Sequence, residues 1–156
     1  MPQPLGFILR RLTGLLLAAI ALFVTVVAPA EEGFQPLFDG KSLEGWKPYS
    51  GRGRAVPPEE SAFSVQDGVI YCSGQGKDYW LIAPGTYGDC VLRLEYKVEG
   101  EANSGVFLRA PEYAEPAFKG FEVQIIGDHG EPPSHHGCGS IYDVIGTMRN
   151  MSRPSG

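Results

Sequence analysis

The sequence predicts an all-β domain, a sandwich of two antiparallel sheets. Three runs carry most of that prediction: Asn103-Ser104-Gly105-Val106-Phe107-Leu108-Arg109, Gly120-Phe121-Glu122-Val123-Gln124-Ile125-Ile126 and Gly139-Ser140-Ile141-Tyr142. Each alternates. Successive side chains on a strand point to opposite faces, so Glu122 and Gln124 share one face while Val123 and Ile125 share the other. The same parity groups Asn103, Phe107 and Arg109 against Val106 and Leu108. One face is then apolar, and the other carries a carboxylate, an amide and a guanidinium, as expected of a sheet that binds something polar on its open surface. Composition agrees: 21 Gly and 13 Pro among short apolar runs, in a chain with 43% hydrophobic residues, favour many turns over long helices.

Taken in order, the chain opens with an export signal over residues 1–30. Arg10 and Arg11 form its positive start, residues 12–27 its apolar stretch, and Ala28-Pro29-Ala30 a small-residue cleavage site before Glu31 and Glu32. Roughly 16 apolar residues fall short of the ~20 that span a bilayer, which favours cleavage between Ala30 and Glu31. The expected product is secreted or periplasmic and touches the membrane only through this signal. Residues 31–156 then suffice for one domain with a core, and no internal repeat is visible.

Within that domain, residues 62–66 and 69–72 flank Asp67-Gly68, a two-residue hairpin signal because both turn positions need positive φ. Residues 79–83 follow as a strand. Residues 90–99 alternate cleanly, with Leu92, Leu94, Tyr96 and Val98 on one side and Arg93, Glu95 and Lys97 on the other. Strands at 104–109, 120–127 and 139–145 complete the set. Residues 51–60, with Pro57-Pro58 and Glu59-Glu60, and residues 110–117, with Pro111 and Pro116, read as long exposed loops.

Charge and cysteine content narrow the function classes. A net charge of −5 without a basic cluster argues against nucleic acid, which calls for a basic face. Cys72, Cys90 and Cys138 allow one disulfide and one free thiol, or three buried small hydrophobes; the second reading is the simpler, since sequence does not set the Cα separation a bridge needs.

The ordered landmarks resemble a known family. Leu37-Phe38-Asp39-Gly40-Lys41-Ser42-Leu43 with Gly45-Trp46, the Asp67-Gly68 hairpin, Tyr79-Trp80-Leu81, Tyr87-Gly88-Asp89 ahead of Glu95, Asn103-Ser104-Gly105 leading to Arg109, Gly120-Phe121-Glu122-Val123-Gln124 and Gly139-Ser140-Ile141-Tyr142 are similar, in that order, to the 3-keto-disaccharide hydrolase domains. The resemblance implies a concanavalin-like jelly roll with sugar bound across a concave sheet, and exported bacterial enzymes that cleave glycosides carrying a ketone at carbon 3. Family members run on beyond the point where this chain stops, through several more strands. Residues 31–156 are accordingly expected to be the N-terminal portion of such a domain.

The chemistry such a substrate demands selects the candidate residues. A carbonyl at carbon 3 acidifies the hydrogen on carbon 2, so the bond at carbon 1 breaks by elimination through an enediolate, with water added later. A base, an oxyanion stabiliser and an acid are needed. Glu122 is the first candidate for base and Glu95 the second, while Arg109 suits the developing negative charge through its permanent cation and planar fork of donors. Asn103 and Gln124 are candidates to hold sugar hydroxyls, His129 to bond substrate or backbone, and Trp80 and Tyr142 to stack on a sugar ring. Spacing alone also fits plainer roles. Glu122 with Arg109 reads as a cross-strand ion pair, Glu95 between Arg93 and Lys97 as a solvated charge row, and Trp80 and Tyr142 as packing.

Two further features bear on class. Asp128, His129, His135, His136 and Cys138 lie in a Gly/Pro loop that could supply ligands to a divalent metal, although their spacing matches no closed zinc motif. A non-catalytic carbohydrate-binding module would use the same sandwich without a buried carboxylate. An ordinary glycosidase would want two carboxylates about 5 to 9 Å apart, which Glu95 and Glu122 satisfy only on neighbouring strands.

Overall fold

The computed structural model of the protein describes residues 33–50, 53–75, 80–111 and 119–154. The export signal, Tyr79 and most of the predicted loop at 110–117 lie outside the described residues. Contacts divide the chain into Met1–Gln35 and Pro36–Gly156, and every element below belongs to the second unit. Among the described residues six strands are formed: β1 (Lys47–Tyr49), β2 (Phe63–Gln66), β3 (Val69–Cys72), β4 (Trp80–Ile82), β5 (Asn103–Leu108) and β6 (Phe121–Ile126). They pair antiparallel as β1 with β4, β2 with β3 and β5 with β6. The described fold is all-β, as the alternation predicts, and consistent with a sandwich.

Local chemistry explains each pairing. Asp67 at φ 49° and Gly68 at φ 80° make the tight turn that sets β2 against β3, with Gln66 opposite Val69. In β1, Pro48 has no N–H to donate, but its carbonyl accepts the Val56 N–H at 2.9 Å, so the chain after β1 folds back along its free edge. That return buries Val56 and ends in a short 3-10 helix at Pro58–Glu60, so the predicted exposed loop at 51–60 is partly structured.

Two predicted strands are corrected. Residues 90–99 form no ladder among the described residues, and Val91, Leu92, Leu94 and Tyr96 are exposed. Alternation marks a sequence suited to a sheet edge, but a strand exists only where a partner completes its backbone hydrogen bonds. Residues 139–145 form isolated bridges, Val123 to Ile141 and Ile141 to Ile145, rather than a regular strand. The first half nonetheless lies along β6: Gly139 N–H donates to the Gln124 carbonyl at 2.8 Å, Gln124 N–H to Ser140 at 3.0 Å, and Tyr142 N–H to Glu122 at 2.9 Å. Asp143, at φ 58°, then turns the chain back on itself.

β6 is therefore flanked on both edges, by β5 on one side and by residues 139–142 on the other. This position makes Ile125 one of only four buried hydrophobic residues among those described, with Val56, Ala62 and Cys138. The cysteines are all free. Cys138 is buried, but Cys72 and Cys90 are exposed, so the expectation of three buried small hydrophobes holds for one.

Candidate active site

Glu122 lies one residue in from the start of β6, the strand between β5 and residues 139–142. Register places it directly opposite Phe107, while Gln124 faces Gly105 and Ile126 faces Asn103. On the other edge the Tyr142 N–H bond to the Glu122 carbonyl and the adjoining Val123–Ile141 bridge set Tyr142 across from Glu122. The carboxylate is thus flanked by two aromatic positions. Trp80 extends the row, its ring meeting Phe107 edge-on at 4.9 Å and 89°, and His136 extends it on the other side, 4.7 Å from the Tyr142 ring.

The half-buried setting has an electrostatic consequence. Removing water from around an ionised carboxylate penalises the charged form, and this desolvation holds the Glu122 carboxyl above the usual carboxylate value. A raised value is what a proton-abstracting base requires.

Gln124 is not where the sequence suggests. The face carrying Glu122 and Gln124 reads as the solvated one, yet Gln124 is only 2% exposed, while Leu108 and Phe121 on the apolar face are exposed. The Gln124 backbone is paired along the edge formed by residues 139 and 140, and its side chain is buried. As placed, the Gln124 amide nitrogen donates to the His136 carbonyl at 3.4 Å; with amide oxygen and nitrogen exchanged, it donates to the Ser104 carbonyl at 2.8 Å and to Glu122 Oε1 at 3.3 Å, and the hydrogen-bond network assigns the second orientation.

Arg109 also departs from the expected face. It stands one residue past the end of β5 at φ 58°, a left-handed conformation that breaks the alternation, and its guanidinium is paired with Asp89. The cross-strand ion pair with Glu122 does not form; Phe107 occupies that position. Glu95 lies exposed in the unladdered run. Since both edges of β6 are taken, Glu95 is not on a strand neighbouring Glu122, and the two-carboxylate geometry expected through adjacent strands is not built.

The remaining candidates are placed as follows. Asn103 is exposed at the start of β5, Tyr142 is exposed, and Trp80 is half-buried with an indole N–H that has no partner among the described residues. His129 Nδ1 lies 2.7 Å from the Ser152 carbonyl, which ties the loop to the following segment and makes Nδ1 the protonated nitrogen. His136 Nε2 pairs with Asp143 Oδ1 at 3.1 Å, and Asp128 accepts the Cys138 N–H at 2.9 Å. Among the described residues no three His, Cys, Asp or Glu side chains converge as metal ligands, so the divalent-metal expectation finds no ligand set there.

Sequence reasoning missed Gly105. A Cβ there would overlap Glu122 Oε1 and come within 2.7 Å of its Cγ, so the carboxylate lies flat over this residue. Its only sequence signal is a glycine inside a strand run, which marks a close approach. A hollow of about 260 Å³ lies elsewhere, lined by Pro36, Asp39, Ser42, Glu44 and Trp46 among others, and includes none of the residues around Glu122. Asp39 there accepts the Ser42 and Lys41 N–H groups, which hold its carboxyl below the usual range.

The described elements define the class of all-β proteins built on antiparallel sheets, here with a desolvated carboxylate between aromatic positions. The chain belongs to the family of 3-keto-alpha-glucoside-1,2-lyase-like domains, whose sequence pattern matches residues 33–156. A curated relative from Bacteroides thetaiotaomicron, named a 3-keto-disaccharide hydrolase, is 28% identical over 151 residues, covering 80% of this chain and 50% of the relative. The chain thus spans half the length of that relative. No solved structure matches it.

Proposed function

We propose that this chain carries the base-bearing part of an exported enzyme that cleaves 3-keto-glycosides or 3-keto-disaccharides. At the level of the family the function is that of a hydrolase-like enzyme. The observation that supports the finer reading is the desolvated Glu122 carboxylate, flanked by Phe107 and Tyr142 on a sheet within the family match.

In this reading Glu122 takes the proton from carbon 2, and the electron pair left behind is delocalised onto the carbon 3 oxygen as an enediolate. That pair then returns to expel the group at carbon 1 with its bonding electrons, and the leaving oxygen takes up a proton. Addition of water across the resulting double bond completes net hydrolysis. Tyr142 offers its exposed ring to an apolar sugar face, and Asn103 its amide to a hydroxyl. Arg109, released from Asp89, would meet the negative charge that develops on oxygen.

The test is Glu122→Gln, which keeps the shape but cannot accept a proton at neutral pH. Turnover of a 3-keto-glucoside, followed by aglycone release with the unoxidised glucoside as control, should fall by about 10²- to 10⁴-fold. Wild-type turnover in the variant would make Glu122 structural. Sugar binding without cleavage of either substrate by the parent would make the chain a binding module.

A further inference from the structure

We propose that Gln124 is the positioning residue for Glu122, and that it leaves Oε2 as the oxygen that takes the substrate proton. The second half of this rests on Glu122 acting as the base; the first half does not. Three observations converge on it. Gln124 is held by both its backbone groups along one edge, its N–H donating to the Ser140 carbonyl at 3.0 Å and its C=O accepting from the Gly139 N–H at 2.8 Å. Its N–H and C=O therefore point away from β5, which makes its pairing with Gly105 the closer, non-hydrogen-bonded kind in which side chains crowd the facing residue.

The amide then has one satisfactory orientation. With its nitrogen toward Ser104 O at 2.8 Å and Glu122 Oε1 at 3.3 Å, both acceptors meet a donor. The reverse orientation sets the amide oxygen against those acceptors for the sake of one long contact to the His136 carbonyl at 3.4 Å. Gly105 supplies the third constraint. Only an absent side chain lets the carboxylate lie against the β5 backbone, since an added Cβ would come within 2.7 Å of Glu122 Cγ and 2.8 Å of Cδ.

Oε1 is thus pressed onto β5 and capped by the amide, while the Glu122 carboxylate has no other hydrogen-bond partner among the described residues. A donor on one oxygen also stabilises the anion, opposing the desolvation that favours the neutral acid. One oxygen is left for the reaction.

The experiment uses the full chain, labelled for NMR. In the wild type, the Gln124 side-chain amide resonance should move with pH at the same midpoint as the Glu122 carboxyl carbon. Gln124→Met, nearly isosteric but without a donor, should raise that midpoint by about one pH unit. Where activity is present, kcat should fall ~10-fold or more with KM within twofold, and the acid limb of the pH profile should move up by the same amount. A Gln124 amide indifferent to Glu122 ionisation overturns the proposal, as does an unchanged midpoint in a folded Gln124→Met. The wild-type amide measurement decides the matter even if the variant does not fold. Because neither titration needs turnover, a wild type inert on 3-keto-glycosides would defeat the base assignment while the role of Gln124 was still settled.

Discussion

Glu122 shows how one side chain couples site and stability. Burial raises its carboxyl above the value it has when unfolded, so the folded state binds the proton more tightly. Below the unfolded value of 4.5 both states are neutral and nothing is lost; as pH climbs past it the folded state loses stability, and the penalty is full above the raised folded value. Glu122→Gln should consequently melt at a higher temperature than the wild type at neutral pH, with the difference closing below about pH 4. Thermal melts at the two pH values check this; an equal difference at both would trace it to shape and not charge. Glu122 was visible as a candidate in the strand pattern, since a lone carboxylate among apolar alternation stands out. The role of Gln124 was not, because parity assigns a face but not which face is covered.

At the scale of elements, β6 is the organising strand, and what lines its two edges decides the site. Gly105 in β5 is one consequence: Gly105→Ala forces either the strand or the carboxylate aside, and should cost about 1–3 kcal/mol of stability as well as the rate attributed to Glu122. Urea unfolding measured alongside turnover separates the two losses, and a variant with unchanged stability would mean the seat is loose. The run at 90–99 meets the loop where Tyr96 Oη and Cys138 Sγ lie 3.0 Å apart. This bond, then desolvation, pushes the Tyr96 phenol up to about 12. Cys138→Ala should return one tyrosine toward its ordinary value of 10.0 in an ultraviolet titration. No change would show that burial alone sets it.

At the scale of the molecule, apolar surface stands uncovered. Val91, Met151, Val144 and Ile145 are exposed, and Met148 fully so, against four buried hydrophobic residues among those described. Surfaces of this kind associate. Residues 31–156, produced alone, should self-associate on size exclusion and bind a hydrophobic dye; a sharp two-state melt of a monomer would contradict this. Export is the other whole-chain expectation, and mass spectrometry of the secreted product should find Glu31 at its N-terminus. A product retaining residues 12–27 would indicate an anchored form instead.

By itself the sequence determined the fold class, the Asp67-Gly68 hairpin and the alternation in β5 and β6, because these depend on neighbours near in the chain: side-chain parity and turn dihedrals. Tertiary structure alone decided the rest. That residues 90–99 form no ladder among the described residues, that Arg109 turns off the strand toward Asp89, and that Gln124 is buried with residues 139–142 along its strand's edge each depend on which distant segment lies alongside. A backbone edge accepts whichever partner satisfies its hydrogen bonds, and alternation leaves that partner unspecified.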